Sequence, residues 1–182
     1  MNYCSHCGAP VALQVPSGDD RPRHVCESCG MIHYRNPIIV VGCIPQWEQR
    51  ILLCRRNIEP QRGLWTLPAG YLETGETTME GAARETHEET GACVTDLSAY
   101  LHFDIVHIHQ IYMMFRARLS RPEWNPTEES SEVVLIDESR IPWNDIAFPV
   151  IKETLKFFFD DRRKGSFPFR LRRIHRRMNP AE

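Results

Sequence analysis

Apolar residues along this chain occur in short blocks separated by glycine, proline and charged residues, a pattern typical of short strands with few helices. The block IIVVGCIP (38–45) is β-branched and apolar enough to be a central strand. RILLCRR (50–56) follows as a second strand, and QWEQ between the two predicts a hairpin. Three later segments are also strand-like: SAYLHFDIV (98–106), HQIYMMFRARL (109–119) and EVVLID (132–137).

A first helix is predicted after the segment TTME (77–80). Thr77 can cap its first turn, Glu80 stands three residues later as in a capping box, and Gly91 is placed to end it. Apolar and small residues at near-helical spacing predict a buried stripe of Met79, Ala83, Thr86 and Thr90. The acidic face of this helix is therefore expected to look outward.

A second helix is predicted in FPVIKETLKFFFDDR (148–162), where Ile151, Leu155 and Phe158 fall on one side. The segment GLWTLPAGYLETGETT (63–78) is punctuated by glycine and proline. We predict that it is a loop, neither strand nor helix, which leads directly into the first helix.

Composition limits the kinds of protein that this chain can be. With 182 residues, 42% hydrophobic residues and a net charge of −2, it can bury one full core and a small appendage. No apolar run approaches the roughly twenty residues of a membrane-spanning helix, and no targeting segment is visible. We therefore expect no membrane association and a reducing, cytoplasmic location. Three cysteines in apolar stretches are expected to be ordinary buried thiols: Cys43, Cys54 and Cys93.

The N-terminal segment contains two C-x-x-C pairs, each followed by a glycine and separated by eighteen residues. This spacing is that of a zinc ribbon, in which four thiolates surround one tetrahedral ion with no open position. The predicted ligands are Cys4, Cys7, Cys26 and Cys29, and the zinc is expected to be structural. Two disulfides are the alternative, which would require an oxidising compartment. Three nearby histidines are not needed as ligands: His6, His24 and His33.

The first helix carries an unusual concentration of charge. Glu85, Glu88 and Glu89 are i,i+3 and i,i+4 neighbours, so their carboxylates share one face and repel each other when no cation is present. For an isolated run of this kind, an ordinary solvated face is an adequate explanation, with Arg84 pairing with Glu88. Magnesium offers a chemical explanation, because it prefers clustered carboxylate oxygens and also holds substrate phosphates.

The residues before the helix complete a longer pattern. Gly70, five residues, Glu76, seven residues, Arg84-Glu85, two residues, Glu88-Glu89, one residue and Gly91 give the spacing of the Nudix box, so the chain resembles the Nudix hydrolase family. Thr86 and Ala92 replace larger aliphatic residues of that pattern, which affects packing behind the helix and leaves the glutamates in place. The resemblance implies an α+β fold, a mixed-sheet α/β/α sandwich, preceded here by the ribbon.

The resemblance also implies a reaction, in which water attacks a phosphorus atom of a nucleoside diphosphate derivative with Mg or Mn as the catalytic ion. By position, the metal ligands are Glu85, Glu88 and Glu89, joined by the main-chain carbonyl of Gly70. Arg84 and Glu76 are expected to be a supporting pair. The general base is either a glutamate of the box or one of the later loop TEESSEV (127–133), which offers Glu129 and Glu132.

The substrate is argued by exclusion and by overall similarity. The SQPWPFPxS array of the NADH pyrophosphatases, the proline found beyond the box in many ADP-ribose pyrophosphatases and the coenzyme A signature are all missing. The chain up to about residue 159 is similar to bacterial relatives of the plant organellar FAD pyrophosphatases. This implies cleavage of FAD or ADP-ribose with release of AMP. Candidate phosphate contacts are Arg55, Arg56 and Arg62, and candidate stacking residues are Trp65, Tyr71 and Tyr112.

The chain is therefore divided into a ribbon (1–34), a Nudix domain (35–161) and a basic C-terminal tail (162–182). Two histidines on a predicted strand, His107 and His109, share a face and are candidates to line the cleft. An alternative function is a nucleic-acid-binding or regulatory protein that uses the ribbon and tail, but the intact glutamates argue against it. The expected partner is a nucleotide diphosphate, without nucleic acid, and a homodimer is left open.

Overall fold

The computed structural model describes residues 1–175, which divide into two compact units after Pro37. The first unit is a small antiparallel sheet of β1 (Val11–Gln14), β2 (Arg23–Cys26) and β3 (Ile32–His33), in the order β1-β2-β3. Cys4 and Cys26 are the two buried residues in 1–37. A unit with so little apolar core needs another source of folding free energy.

The second unit contains one mixed sheet of eight strands and two helices. Its strands are β4 (Ile38–Trp47), β5 (Arg50–Arg56), β6 (Trp65–Thr66), β7 (Ala69–Tyr71), β8 (Val94–Ile105), β9 (Gln110–Leu119), β10 (Ser130–Ile136) and β11 (Arg170–Arg173). Its helices are α1 (Thr78–Thr90) and α2 (Pro149–Lys164), with 3₁₀ turns at Val106–Ile108 and Glu138–Arg140. Among residues 1–175, no helix is both long enough and apolar enough to cross a membrane.

The main path of the sheet is β10-β5-β4-β9-β8-β11, in which β4 runs parallel to β9 and β11 runs parallel to β8. The predicted α+β architecture, a mixed sheet between two helices, is confirmed. On one face, α2 buries Ile151, Leu155 and Phe158 in the main core, as the sequence predicted. On the other face, Ala82 of α1 packs against Val41 and its neighbours. Truncating Phe158 would cost about 3–5 kcal/mol.

A gap in the sheet positions the functional site. Strands β4 and β5 pair at the hairpin, where Gln46 faces Ile51, and then each turns to a different partner. Strand β7 pairs with β4 and β6 pairs with β5, so the segment from β6 to β7 fills the space between them. The prediction that this segment contains no strand was wrong, because both short strands complete hydrogen bonds that β4 and β5 leave open.

The C-terminal segment is more ordered than the sequence indicated. Helix α2 continues to Lys164, and Gly165 ends it with φ 68°. The helix thus extends past residue 161, where we predicted that the Nudix domain ends and the basic tail begins. The chain then returns as β11 beside β8, with Arg170 opposite Leu101. Residues 170–173 of the predicted basic tail are therefore part of the sheet. The remainder of the predicted tail, 176–182, lies outside the described residues.

Candidate active site and zinc centre

Helix α1 begins and ends where the sequence predicted. The Thr77 side chain accepts the Glu80 N–H at 3.2 Å, and the Glu80 carboxylate accepts the Thr77 N–H at 2.8 Å, so the capping box is complete. Gly91 ends the helix with φ 66°, where a side chain would be strained. The caps fix the length and rotation of the helix that carries the three glutamates.

The acidic face of α1 does not look outward as predicted. Glu85 is 9% exposed and Glu89 5%, whereas Met79 of the predicted buried stripe is 46% exposed. Thr86 and Thr90 are buried as expected. Their hydroxyls donate to main-chain carbonyls one turn earlier, so neither is left without a hydrogen-bond partner. The helix is rotated so that Glu85 and Glu89 point toward the gap between β4 and β5, which an isolated helical pattern cannot indicate.

Glu89 lies deepest in this gap. Its Oε2 accepts the Ala69 N–H at 3.2 Å and lies 3.5 Å from the Cys54 thiol, which donates to it. Burial raises the pKa of Glu89 to about 8, and the charge of Glu85 adds to this, while Arg56 opposes it. The carboxylate is therefore costly to ionise without a cation nearby. Cys54 had been expected to be an ordinary buried thiol, and nothing in its local sequence indicated this contact.

Glu85 lies against the backbone of Gly70. A Cβ at position 70 would overlap the Glu85 carboxylate, so glycine is required for the strand and helix to approach this closely. Burial raises the pKa of Glu85, although the hydrogen bond from Arg84 at 2.9 Å opposes the shift. Gly70 and Glu85 are therefore adjacent, and their assignment as metal ligands stays a prediction.

Arg84 is the centre of a hydrogen-bond network that holds the acidic residues in place. Its guanidinium donates to both oxygens of Glu76 at 2.8 and 3.0 Å, to Glu88 at 2.8 Å and to the Tyr71 carbonyl at 3.0 Å. The hydrogen bond from Arg84 lowers the pKa of Glu76 to about 2. The expected pairing of Arg84 with Glu76 is thus present, and the same guanidinium orients Glu85 and Glu88.

This arrangement fits a hard divalent cation. Two buried carboxylates with raised pKa values, Glu85 and Glu89, are destabilised when ionised, and a Mg or Mn ion would remove that penalty. Glu88, which is exposed, adds a third oxygen donor on the same helix. The donors are carboxylate oxygens, as these ions prefer.

The two candidate general bases differ in their surroundings. Burial is the main cause of the raised pKa of Glu85, and the charge of Glu129 adds to it. Glu132 lies on β10 and forms an ion pair with Arg55 at 3.6 Å. Both assignments stay predictions, and the surroundings favour Glu129.

The three candidate phosphate-binding arginines are held near the β5–β6 connection. Arg55 donates to the Gly63 carbonyl, Arg56 donates to the Pro60 carbonyl, and Arg62 donates to the Asn57 side chain. Arg56 also lies over the Phe148 ring at 5.2 Å, and its charge acts on Glu89. Of these three arginines, Arg56 is the one whose charge acts on Glu89.

The candidate stacking residues do not share one environment. Trp65 packs against the main core, and its main-chain N–H donates to the Asp145 carbonyl. Tyr71 is 58% exposed, whereas Tyr112 lines a pocket of about 430 Å³. Phe148, which the sequence did not single out, lines the same pocket.

Two further sequence predictions need correction. His107 lies in a 3₁₀ turn and His109 follows it with φ 56°, so they do not alternate along a strand, and of the two only His107 is among the residues that line the pocket. The turn forms because the chain reverses between β8 and β9. Cys93 is exposed and lies 3.9 Å from His87, since it falls in the loop after α1 and outside the core.

The four cysteines of the first unit converge as predicted. All four Sγ atoms lie within 4.8 Å of one another, with Cys4 to Cys29 at 3.7 Å and Cys7 to Cys26 at 3.5 Å. Tetrahedral coordination at about 2.3 Å places sulfurs roughly 3.8 Å apart, so the set fits one closed zinc site. The same distances are too long for disulfide bonds. His33 Nε2 lies 3.3 Å from the Cys4 sulfur, beside the four ligands.

Comparisons with protein families agree with this division of the chain. The Nudix N-terminal zinc-ribbon family matches residues 2–35, and the NUDIX domain family matches residues 36–158. A NAD-capped RNA hydrolase NudC of Photobacterium profundum is 32% identical over 85% of this chain and 58% of its own length. An ADP-ribose pyrophosphatase of Methanocaldococcus jannaschii is 41% identical over 32% of this chain and 34% of its own length. The chain thus spans little more than half the length of the first of these relatives.

Solved structures show the same fold. A NUDIX hydrolase from Nitrosomonas europaea superposes with a TM-score of 0.93 at 49% identity, covering 97% of this chain and 100% of that one. A bifunctional NMN adenylyltransferase/ADP ribose pyrophosphatase from Francisella tularensis, complexed with AMP and Mn ion, superposes with a TM-score of 0.57 at 22% identity. That match covers 70% of this chain and 42% of the other, and it shows the fold alone. Zinc in the ribbon is structural and the catalytic ion is Mg or Mn, and this chain belongs to the Nudix hydrolase family.

Proposed function

We propose that this protein hydrolyses the pyrophosphate bond of a nucleoside diphosphate derivative, with FAD and ADP-ribose as the first candidates, and releases AMP. The observation that carries the proposal is the continuity of the site. Glu85 and Glu89 are buried carboxylates, the charge of Arg56 acts on Glu89, and Arg56 lies over Phe148, which lines the pocket. This order of groups suits a substrate with a diphosphate at one end and a flat ring at the other.

Each group has a role that follows from its position. Glu85, Glu88 and Glu89 would hold the divalent ion, which when bound would offset phosphate charge and increase the acidity of water. Gly70 leaves room for the Glu85 carboxylate, and Arg84 with Glu76 fixes its orientation. Glu129 accepts the proton of the attacking water. Arg56 binds the phosphate that leaves with the nucleoside.

The class of substrate is argued from the pocket and from the relatives. A volume of about 430 Å³ lies within the range of small-molecule sites, roughly 300–1,000 Å³. The relatives are named for NAD-capped RNA and for ADP-ribose, both of which contain an AMP unit joined through a pyrophosphate. FAD shares that unit. The released product we expect from the free nucleotides is AMP, whereas in NAD-capped RNA the AMP unit stays at the 5′ end of the RNA and the product released is NMN.

A panel of substrates tests the proposal. ADP-ribose, FAD, NAD and a NAD-capped RNA are incubated with purified protein and Mg or Mn, and products are separated by chromatography. We expect FAD and water to give FMN and AMP, and ADP-ribose and water to give AMP and ribose 5-phosphate. Absence of AMP from every free nucleotide, together with absence of NMN from the capped RNA, with either ion would refute the proposal. Glu80→Gln is a matched control, because glutamine preserves the capping box while removing a charge from the same helix.

Binding of RNA without catalysis is the second candidate, because relatives are named for capped RNA, although the name describes them as hydrolases. Filter binding of capped and uncapped RNA, run beside the panel, separates the two. Binding of both RNAs without release of AMP or NMN would support the second candidate. Release of either product that requires Mg or Mn supports the first.

A further inference from the structure

The zinc centre has one side-chain contact that coordination by four cysteines does not require. His33 Nε2 lies 3.3 Å from the sulfur of Cys4, which is a buried residue. The same sulfur accepts the main-chain N–H of His6 at 3.4 Å. Within residues 1–175, no other side-chain nitrogen lies at hydrogen-bond distance from a sulfur of the ribbon. An imidazole thus distinguishes the Cys4 sulfur from the other three.

The small sheet of the ribbon holds this imidazole in place. Strand β3 consists of Ile32 and His33, and it pairs with β2 so that His33 faces His24 directly. Residues directly opposite each other in an antiparallel pair share a face of the sheet, and His24 shares that face with Cys26, two residues later on β2. The Met31 carbonyl accepts the Cys26 N–H at 2.9 Å and extends the same pairing. Main-chain hydrogen bonds therefore fix His33 on the face that carries a zinc ligand.

The chemistry of the sulfur determines the direction of this hydrogen bond. A cysteine that binds zinc does so as a thiolate, which has no proton to donate, so the Cys4 sulfur must be the acceptor. Nε2 of His33 must then carry a hydrogen, as it does in one of the two neutral tautomers of imidazole. Four thiolates carry more negative charge than one divalent ion neutralises, and a donor beside one of them offsets part of that excess.

The distances favour a hydrogen-bonding role for His33 over a role as a zinc ligand. Atoms that bind one ion must all lie close to one another, and the four cysteine sulfurs do so, within 4.8 Å. Nε2 of His33 is not a member of this compact set, although it lies beside Cys4. The imidazole is therefore a partner of one ligand and not a fifth ligand.

We propose that His33 is a positioning residue of the zinc centre: its Nε2–H holds the Cys4 sulfur in place and sets how tightly the ribbon retains zinc. Removal of a partner of this kind lowers metal affinity roughly ten- to hundredfold. Because residues 1–37 bury only two cysteines, their folding depends on the ion, and a residue that retains the ion also keeps this unit folded. The inference goes beyond the proposed function, because it concerns the unit that does not contain the glutamates.

His24 supplies a matched control for His33. It is the same type of residue, directly opposite on the neighbouring strand, and its ring makes none of the hydrogen bonds to sulfur that the described residues contain. His33→Phe and His24→Phe therefore remove the same ring nitrogens from one face of the sheet, and only the first removes a donor to sulfur. His33→Gln is a third variant, because the side-chain amide of glutamine retains an N–H donor.

The zinc affinity of the full chain is measured by competition with a chromophoric chelator under reducing conditions. We expect His33→Phe to bind zinc roughly ten- to hundredfold more weakly than the wild type. His24→Phe should bind as the wild type does, and His33→Gln should recover most of the loss. Equal affinities of the wild type and His33→Phe, or equal losses in the two phenylalanine variants, would overturn the inference. A loss that glutamine does not recover would also overturn it, because the shape of the ring would then be the cause.

Cobalt in place of zinc gives a readout that a purely structural role of His33 would not change. A hydrogen bond to a thiolate stabilises its lone-pair electrons, so the sulfur-to-cobalt charge-transfer absorption should move to longer wavelength when the bond is lost. At full cobalt occupancy we expect this shift in His33→Phe, and not in His24→Phe or His33→Gln. Identical spectra of all the proteins would show that the imidazole does not donate to the sulfur. Neither measurement uses a substrate, so the outcome is independent of whether the protein cleaves a pyrophosphate.

Discussion

The Cys54 thiol lies 3.5 Å from Oε2 of Glu89, and both side chains are buried in the gap between β4 and β5. A thiol is a weak donor, so this contact compensates only a small part of the cost of a buried negative charge. Burial raises the pKa of Cys54 well above its ordinary value, and the charge of Glu89 adds to this. In the absence of divalent ions, this pair therefore favours the state in which both groups are neutral.

We predict that the metal-free protein becomes less stable as pH rises from about 5 to 8. The folded pKa of Glu89, about 8, lies above its ordinary value of 4.5, so the folded protein holds a proton that the unfolded chain releases. Stability from this group is fully present below the ordinary pKa and is lost as pH rises through the folded value. Thermal melts in EDTA at several pH values measure the effect.

The control for this prediction is Glu89→Gln, which cannot titrate at this position and should flatten the curve between pH 5 and 8. Added Mg should also flatten it for the wild type, because the bound ion favours the ionised carboxylate. A wild-type melting temperature that is constant or rises across this range in EDTA would contradict the raised pKa.

We also predict that Glu89→Gln lowers turnover roughly a hundredfold or more, because it removes a negatively charged ligand of the catalytic ion. Its melting temperature should be unchanged or higher, because the change removes repulsion from Glu85. Activity is measured as AMP release and stability by thermal melting. An active Glu89→Gln enzyme would mean that the Nudix box is not the catalytic centre.

The choice of general base gives a third prediction. Glu129→Gln should lower kcat roughly a hundredfold with little change in KM, whereas Glu132→Gln should have a small effect, because its carboxylate is engaged with Arg55. The pH profile of kcat should lose its acidic limb in Glu129→Gln only. The reverse order of effects would move the assignment to Glu132, and no effect of either would leave a glutamate of the box as the base.

The functional residues could be predicted from sequence because the number of residues between them is characteristic of each kind of site. The four cysteines, the glutamates of α1 and the caps at Thr77 and Gly91 are local patterns, and each specifies its geometry over a few residues. A local pattern does not determine how a helix is oriented on a sheet. Met79 is therefore exposed and Glu89 is buried, the reverse of the predicted stripe.

The part that sequence could not supply depends on long-range pairing. Cys54 and Glu89 are 35 residues apart, and Arg170 reaches its partners through β11, a four-residue strand with three arginines that has no strand-like pattern. The strand forms because β8 offers an open edge and Asp161 anchors its first residue. Neither the pocket nor its lining by Phe148 and Arg173 was visible before these contacts were known.

The anchor of β11 gives a fourth prediction. Asp161 is 2% exposed, and although burial alone would raise its pKa, hydrogen bonds from Arg170 and Tyr100 lower it. Arg170→Gln should therefore destabilise the protein by about 2–3 kcal/mol, because a buried carboxylate loses its charged partner. Denaturant melts measure the loss, and Arg172→Gln on the same strand is the control, for which little change is expected.

The same carboxylate predicts a dependence on pH of the opposite sign to that of Glu89. The stability contributed by Asp161 is present above its ordinary pKa and is lost as pH falls toward the folded value. Arg170→Gln should therefore lose less stability than the wild type between pH 5 and 3. An equal loss in the two proteins would show that this ion pair does not control acid stability.

The last prediction separates the two metals by their roles. The ribbon buries two cysteines and little else, so closed coordination by four thiolates must supply much of its folding free energy. Cys26→Ser should release zinc and increase hydrogen exchange throughout residues 1–37, while strands β4 to β9 stay protected by their own core.

Cys93→Ser is the matched control, because it removes an exposed cysteine outside the ribbon and should retain one zinc per chain. Brief treatment of the wild type with EDTA, followed by added Mg, should restore hydrolysis fully if the zinc stays bound, since the catalytic ion exchanges from an open site. Metal analysis under reducing conditions tests the assignment directly. Purified protein without tightly bound zinc, or a Cys26→Ser protein that still holds it, would show that the four cysteines do not form a zinc site.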